Sequence, residues 1–262
     1  NLNGAANLPG VARGAAGDSE DMAECEFIYG GAFEGVIAGS THINLNNGRI
    51  FNSFAGSCNA NILGHTETYV GSNGFPWIRD HIYGGNDLGG RIMGNKDFTD
   101  RIRSEVVGMV KPEYKEKVSK ATTYMEYTQG RVRNILGGCF GDYDYTHDPA
   151  FKVGTGDDCR VAEKPYLHNA FVNIRPNKKE NNEIAKVFGA GEGSSGDRDG
   201  DKGQDHSYVL IDIPEGIDNF ANMEIFGAGA YNGLGMRYAA EETFRDGKDG
   251  GEAFDLNEAS NR

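Results

Sequence analysis

The sequence predicts an all-β fold, a right-handed parallel β-helix of short strands with loop and short helical insertions. Three observations carry this expectation: a motif that recurs along the chain, apolar runs that are brief, and glycines placed where those runs end. The recurrence is plainest between Gly48-Arg49-Ile50-Phe51-Asn52-Ser53-Phe54-Ala55-Gly56 and Gly130-Arg131-Val132-Arg133-Asn134-Ile135-Leu136-Gly137-Gly138. Glycine, arginine, a β-branched residue, asparagine, a large apolar residue and a small-Gly pair stand at the same offsets in both. The ending returns as Ile28-Tyr29-Gly30-Gly31, Ile82-Tyr83-Gly84-Gly85, Val187-Phe188-Gly189-Ala190-Gly191 and Ile225-Phe226-Gly227-Ala228-Gly229.

Runs this short cannot bury a face alone. Stacked one above the next, they align like residues and build a continuous core. The 39 glycines, well above the usual share of about 7%, supply positive φ or close backbone approach at the corners.

Residues 1–23 read as a tail or cap, and the repeats occupy 24–236. In the first half a second run follows each copy: Gly35-Val36-Ile37-Ala38-Gly39-Ser40-Thr41 resembles Ala60-Asn61-Ile62-Leu63-Gly64-His65-Thr66. A third run alternates polar and apolar residues from Thr41 to Gly48, with an equivalent from Thr123 to Gly130. Each unit therefore holds three strand-like runs. Asn52 and Asn134 fit either a buried asparagine ladder or surface turns. Insertions are expected at 95–122, 141–167 and 192–205. In the first, Asp97-Phe98-Thr99-Asp100 caps a helix through Met109, and Pro112-Glu113 starts another to Ser119. Residues 237–262 read as a second tail or cap.

Units ending IYGG, LGGCFG and VFGAG, followed by G-x-I-x-G-x-T, resemble the glycine-rich repeats of large surface proteins of Bacteroidetes. The resemblance covers roughly 24–236 and is strongest in 24–94 and 124–141. It implies an exported, surface-anchored cargo of the type IX secretion kind, folded as a parallel β-helix; many such proteins have no assigned activity. Together with the start at Asn1 and the polar end at Arg262, it makes the chain a piece of a longer precursor, secreted or held on the outer membrane exterior.

The net charge of −13 argues against nucleic acid and anionic membrane surfaces, where binding rests on Lys and Arg. It favours a cationic partner, or solubility alone. No apolar run is long enough to span a membrane. The four cysteines, Cys25, Cys58, Cys139 and Cys159, contain no CxxC pair, so zinc and thioredoxin-like sites are poorly supported. Cys139–Cys159 would close a short local loop as a disulfide.

Asp197, Asp199, Asp201 and Asp205 offer oxygens to a hard cation such as Ca²⁺. Lys202 and Gly203 break the EF-hand pattern, no Glu closes the loop, and a solvated acidic loop is the competing reading. Asp142, Tyr143, Asp144 and Tyr145 cluster acids with aromatics that can stack on sugars or anchor a protein. A decorated loop, or a glycosidase carboxylate pair, fits the same residues. Nucleophilic catalysis has no motif: there is no G-x-S-x-G, no HExxH, and the six histidines are dispersed. Trp77, in Gly74-Phe75-Pro76-Trp77-Ile78, either staples a loop or presents a hot spot.

The reading that follows is a non-catalytic, adhesin-type binding protein for a secreted host protein, such as a cationic trypsin-like serine protease. A glycan-binding or polysaccharide-degrading β-helix and a structural spacer are the alternatives. No cofactor is required, and calcium is the one candidate.

Overall fold

The computed structural model describes residues 23–94, 122–143, 165–177, 181–192, 204–217, 220 and 222–230, with two further strand pairs. Among these residues the chain is all-β. Three successive units contribute three strands each: β1 (Glu24–Tyr29), β2 (Glu34–Ile37) and β3 (Thr41–Leu45); β4 (Arg49–Phe54), β5 (Asn59–Ile62) and β6 (Thr66–Val70); β7 (Trp77–Tyr83), β8 (Arg91–Ile92) and β9 (Thr123–Tyr127). β10 (Arg131–Leu136) is followed by an antiparallel pair, β11 (Lys152–Val153) and β12 (Arg160–Val161), and then by β13 (Tyr166–Ile174). β14 (Glu183–Phe188), β15 (Gln204–Ile211) and β16 (Glu224–Phe226) complete the stack. A second antiparallel pair joins β17 (Lys248–Asp249) and β18 (Glu252–Ala253).

The first strands of the units form one parallel sheet, ordered β1-β4-β7-β10-β14-β16. Their registers place Ile28, Ser53, Ile82, Ile135, Val187 and Ile225 in one row, and Tyr29, Phe54, Tyr83, Leu136, Phe188 and Phe226 in the next. All the copies of the repeated motif therefore stack, as the sequence predicts. The alternation of a strand decides the rest. Ile82, Ile135 and Val187 enter the main core. The next row turns to the other face, where Tyr29, Phe54 and Tyr83 stack at 5.0 and 4.9 Å, and Phe188 on Phe226 at 4.8 Å.

The remaining strands form a second sheet ordered β2-β5-β8-β13-β9-β6-β3, with β15 also on β13. Its inner residues Ile43, Leu45, Val70, Met125, Tyr127, Val172 and Ile174 meet Ile50, Ile78, Ile82, Val132, Ile135, Ile184 and Val187 of the first sheet in one buried core. Each fully buried aliphatic side chain stabilises the fold by about 1.5–3 kcal/mol.

Two devices hold the corners. Small residues follow this row, and at several of them glycine lets neighbouring units approach: a Cβ on Gly84 would stand 2.2 Å from the Gly137 carbonyl oxygen. Gly48 and Gly130 instead take φ values of 100° and 121° to enter β4 and β10. Buried hydroxyls then tie the sheets together. Thr41 Oγ1 donates to the Ala55 carbonyl at 2.5 Å, Thr66 Oγ1 to Gly84 at 2.5 Å and Thr123 Oγ1 to Gly137 at 2.9 Å. Ser207 makes the same bond to Gly227, here in an exposed position. Ala170 holds the equivalent position in β13 and has no hydroxyl; there the Gln204 amide reaches the Gly189 carbonyl at 3.3 Å.

β13 departs from the three-strand plan. Its start pairs with β8 (Tyr166 with Arg91, Leu167 with Ile92) and its end with β9 (Ala170 with Thr123 through Ile174 with Tyr127). One strand thus replaces two. In earlier units Ala38-Gly39-Ser40 or Leu63-Gly64-His65 turns the corner. Here only His168 and Asn169 lie between the equivalent positions, without glycine, and the backbone runs straight.

The expected insertion boundaries shift accordingly. Tyr166 and Leu167 belong to β13, and Gln204 and Asp205 to β15. The helices expected within 98–120 lie outside the described residues. The proposed asparagine ladder is a mixed one: Asn52, His81 and Asn134 share a register. Asn52 Oδ1 accepts the His81 N–H at 3.1 Å, and Asn134 Nδ2 meets His81 Nε2 at 2.9 Å.

Candidate functional site

Of the predicted binding residues, Asp142 is exposed and Tyr143 is half-buried, while Asp144 and Tyr145 lie outside the described residues. Tyr143 is engaged with its own protein. Its hydroxyl donates to Asp87 Oδ1 at 2.7 Å, and its ring meets Phe140 edge-on at 5.1 Å. Phe140 in turn lies against Tyr83 at 5.4 Å. The segment is thereby anchored over the stacked aromatic row. Asp87 also accepts the Tyr29 hydroxyl at 2.7 Å. Burial raises its carboxyl above the usual range, and the two tyrosine hydrogen bonds oppose that rise.

The candidate calcium ligands Asp197, Asp199 and Asp201 lie outside the described residues, and Asp205 falls within β15. Among the described residues no group of three or more His, Cys, Asp or Glu is placed to hold a metal ion. Cys139 is buried, its sulfur accepting the Asn86 N–H at 3.3 Å, and desolvation pushes its thiol up to about 12. Cys159 lies outside the described residues.

Trp77 is not a loop residue: it opens β7. Phe75 and Pro76 are the buried members of that cluster. The indole lies between the guanidinium groups of Arg49 and Arg131, 4.8 and 5.2 Å from its centroid. Arg49 pairs with Glu24, and Arg131 with Glu183 at 3.0 Å. Parallel register makes this a single row, Glu24-Arg49-Trp77-Arg131-Glu183. Cation–π contact on both faces of the indole and an ion pair at each end hold it together.

The outer face of β2, β5 and β8 has a different character. Phe33 is 74% exposed, Val36 65%, Leu63 50% and Met93 50%. Leu63 and Met93 are brought onto neighbouring strands by matching bonds, Leu63 N–H to the Ile37 carbonyl and Met93 N–H to the Ile62 carbonyl, both at 2.9 Å. The inward isoleucines Ile62 and Ile92 precede them, so alternation sends the next residue outward. Glu34 is exposed beside this strip.

Around the corner glycines a polar network assembles that single-residue reading missed. Ser40 Oγ lies 2.9 Å from His65 Nδ1 and accepts the His65 backbone N–H at 3.1 Å. His65 Nε2 lies 2.8 Å from Glu67 Oε1. An ionised carboxylate only accepts, so Nε2 carries the hydrogen, and in the neutral ring Nδ1 accepts the serine hydroxyl. Tyr69 donates to Glu67 Oε2 at 2.9 Å, and His42 Nδ1 approaches the same oxygen at 3.3 Å. His65 and Glu67 are buried, whereas Ser40 and His42 are exposed. The signal was present: aligning Gly39-Ser40-Thr41-His42 on Gly64-His65-Thr66-Glu67 as stacked units puts Ser40 beside His65 and His42 beside Glu67.

Searches with the whole chain match no protein-family model, no curated protein and no solved structure.

Proposed function

We propose that this chain is a binding module of an exported surface protein, its parallel sheets coiled as a right-handed β-helix that presents a rigid docking face. The observation that carries the reading is the exposed pair Leu63 and Met93, set on neighbouring strands by ladder hydrogen bonds, with Phe33 and Val36 also exposed at and before β2 and Asn61 beside Val36. Exposed apolar side chains on an ordered surface are the usual core of a protein–protein contact. The right hand follows from the general rule for crossovers between parallel strands.

The partner is a secreted protein of opposite charge. A chain at −13 attracts a cationic protein over long range and speeds encounter, and the apolar strip then supplies contact area. Basic secreted serine proteases of the trypsin kind fit this description. A laddered stack has its strand N–H and C=O groups already paired with neighbouring strands, so they are not free to pair with a protease cleft, and the stack can hold such an enzyme without being consumed.

Titrating the purified protein with trypsin, lysozyme and polylysine at several salt concentrations tests the reading. Selective binding to one protein, weakened by salt and by Leu63→Asp or Met93→Asp, is the expected result. Equal binding of all three reduces it to charge attraction, and no binding at low salt ends it. A glycan array run beside it reads the carbohydrate alternative.

A further inference from the structure

The chemistry-bearing groups that the docking reading leaves unused converge at one place, the corner formed by Gly39-Ser40 and Gly64-His65. We propose that Ser40 is an activated nucleophile that takes up a short acyl group from an ester, with His65 as its base and Glu67 as the group that orients that base. This goes beyond the binding reading and does not rest on it.

The geometry meets the requirements of nucleophilic catalysis. Nucleophile and base lie within hydrogen-bond reach at 2.9 Å, and the base is held by a third group at 2.8 Å. The ring is used with Nδ1 toward the serine and Nε2 toward the carboxylate. Either nitrogen serves as the base when the other is fixed by its partner. Glu67 is itself held, by the Tyr69 hydroxyl on its second oxygen and by His42 beside it. A buried, fixed carboxylate stabilises the imidazolium that forms when the serine proton is taken. The His65 backbone N–H on Ser40 Oγ favours negative charge on that oxygen.

In the reaction the Ser40 oxygen attacks the ester carbonyl carbon and its proton passes to His65 Nδ1. The bond from carbonyl carbon to the leaving oxygen breaks, and that oxygen takes the proton from Nδ1. Water then attacks the acyl-serine, again giving its proton through His65, and releases the carboxylic acid and free Ser40. Glu67 stays ionised throughout. Ser40 is exposed, and the exposed Ala38 and Leu63 precede the two corner glycines. That footing suits a small apolar acyl group such as acetyl, carried by a larger molecule that approaches from solvent.

The test is to expose the purified protein to p-nitrophenyl acetate and to a fluorophosphonate probe, and to map the adduct by peptide mass. The expected adduct is on Ser40 and is absent from Ser40→Ala, whose far-UV circular dichroism stays that of the wild type. His65→Gln lowers the labelling rate about 100-fold, and Glu67→Gln lowers it by about tenfold or more. Absence of an adduct on Ser40, labelling spread evenly over exposed serines and tyrosines, or a wild-type rate in His65→Gln overturns the proposal. None of these variants alters Leu63 or Met93, and binding of trypsin by Ser40→Ala should match wild type, so the docking reading is judged separately.

Discussion

The hydroxyl of Thr123 donates to the carbonyl oxygen of Gly137 at 2.9 Å from inside the core, tying β9 to the turn that follows β10. Thr123→Val keeps the shape and removes the donor, leaving a buried carbonyl short of a partner. The expected loss is about 1–3 kcal/mol, read from the urea midpoint. Thr123→Ser retains the bond and should cost less than Val. Equal stability of the Val variant and wild type would show that the tie is idle.

Gly84→Ala places a methyl 2.2 Å from the Gly137 carbonyl oxygen, a backbone atom that cannot rotate away. Two units must separate to admit it. Destabilisation of about 1–3 kcal/mol is expected, against a small effect at Gly39, where a Cβ meets open space. Thermal melts of the two variants side by side make the comparison.

Asp87 gives a pH dependence. Its carboxyl is raised above its unfolded value chiefly by burial, so between the two values the folded state binds more protons than the unfolded one. Stability contributed by the protonated form is therefore lost as pH rises through that window. Asp87→Asn removes the titration. The melting temperature of the variant relative to wild type should climb from pH 4 to pH 7, and a difference that stays flat would contradict this account.

Cys139 should resist alkylation in the native protein, because burial raises its thiol to about 12 and closes access. The half-buried Cys25 should react first. Peptide mapping after native and denaturing alkylation, without reductant, reads this order. The same map reports a Cys139–Cys159 disulfide directly as a linked peptide.

The first sheet was legible in the sequence because a large apolar residue followed by a small-Gly pair recurs in every unit, and parallel pairing turns recurrence into stacking. The corner network takes two units to see: Ser40 belongs to one and His65 and Glu67 to the next, so the residues meet only when the two units are aligned as stacked neighbours. Tyr143 read as a ligand-facing aromatic because nothing local announces Asp87, a residue 56 positions away. Trp77 follows Pro76 and so resembles a loop residue, yet the proline ends the turn and the tryptophan starts the strand. The merging of two strands into β13 had a visible sign, the missing glycine between Leu167 and Ala170, which gains meaning only beside the corners of the other units.

That shared strand governs how the stack comes apart. Hydrogen exchange in a repeat array ordinarily begins at an end and moves inward unit by unit. β13 closes both β8 and β9, so an opening that reaches it exposes two ladders in a single event. Amide protons of Ile92 and Met125, which lie on two different strands, β8 and β9, should then exchange as one cooperative group. The nine-residue strand acts as a clasp, setting a floor beneath which partial unravelling from the β16 side does not proceed without releasing the earlier units as well.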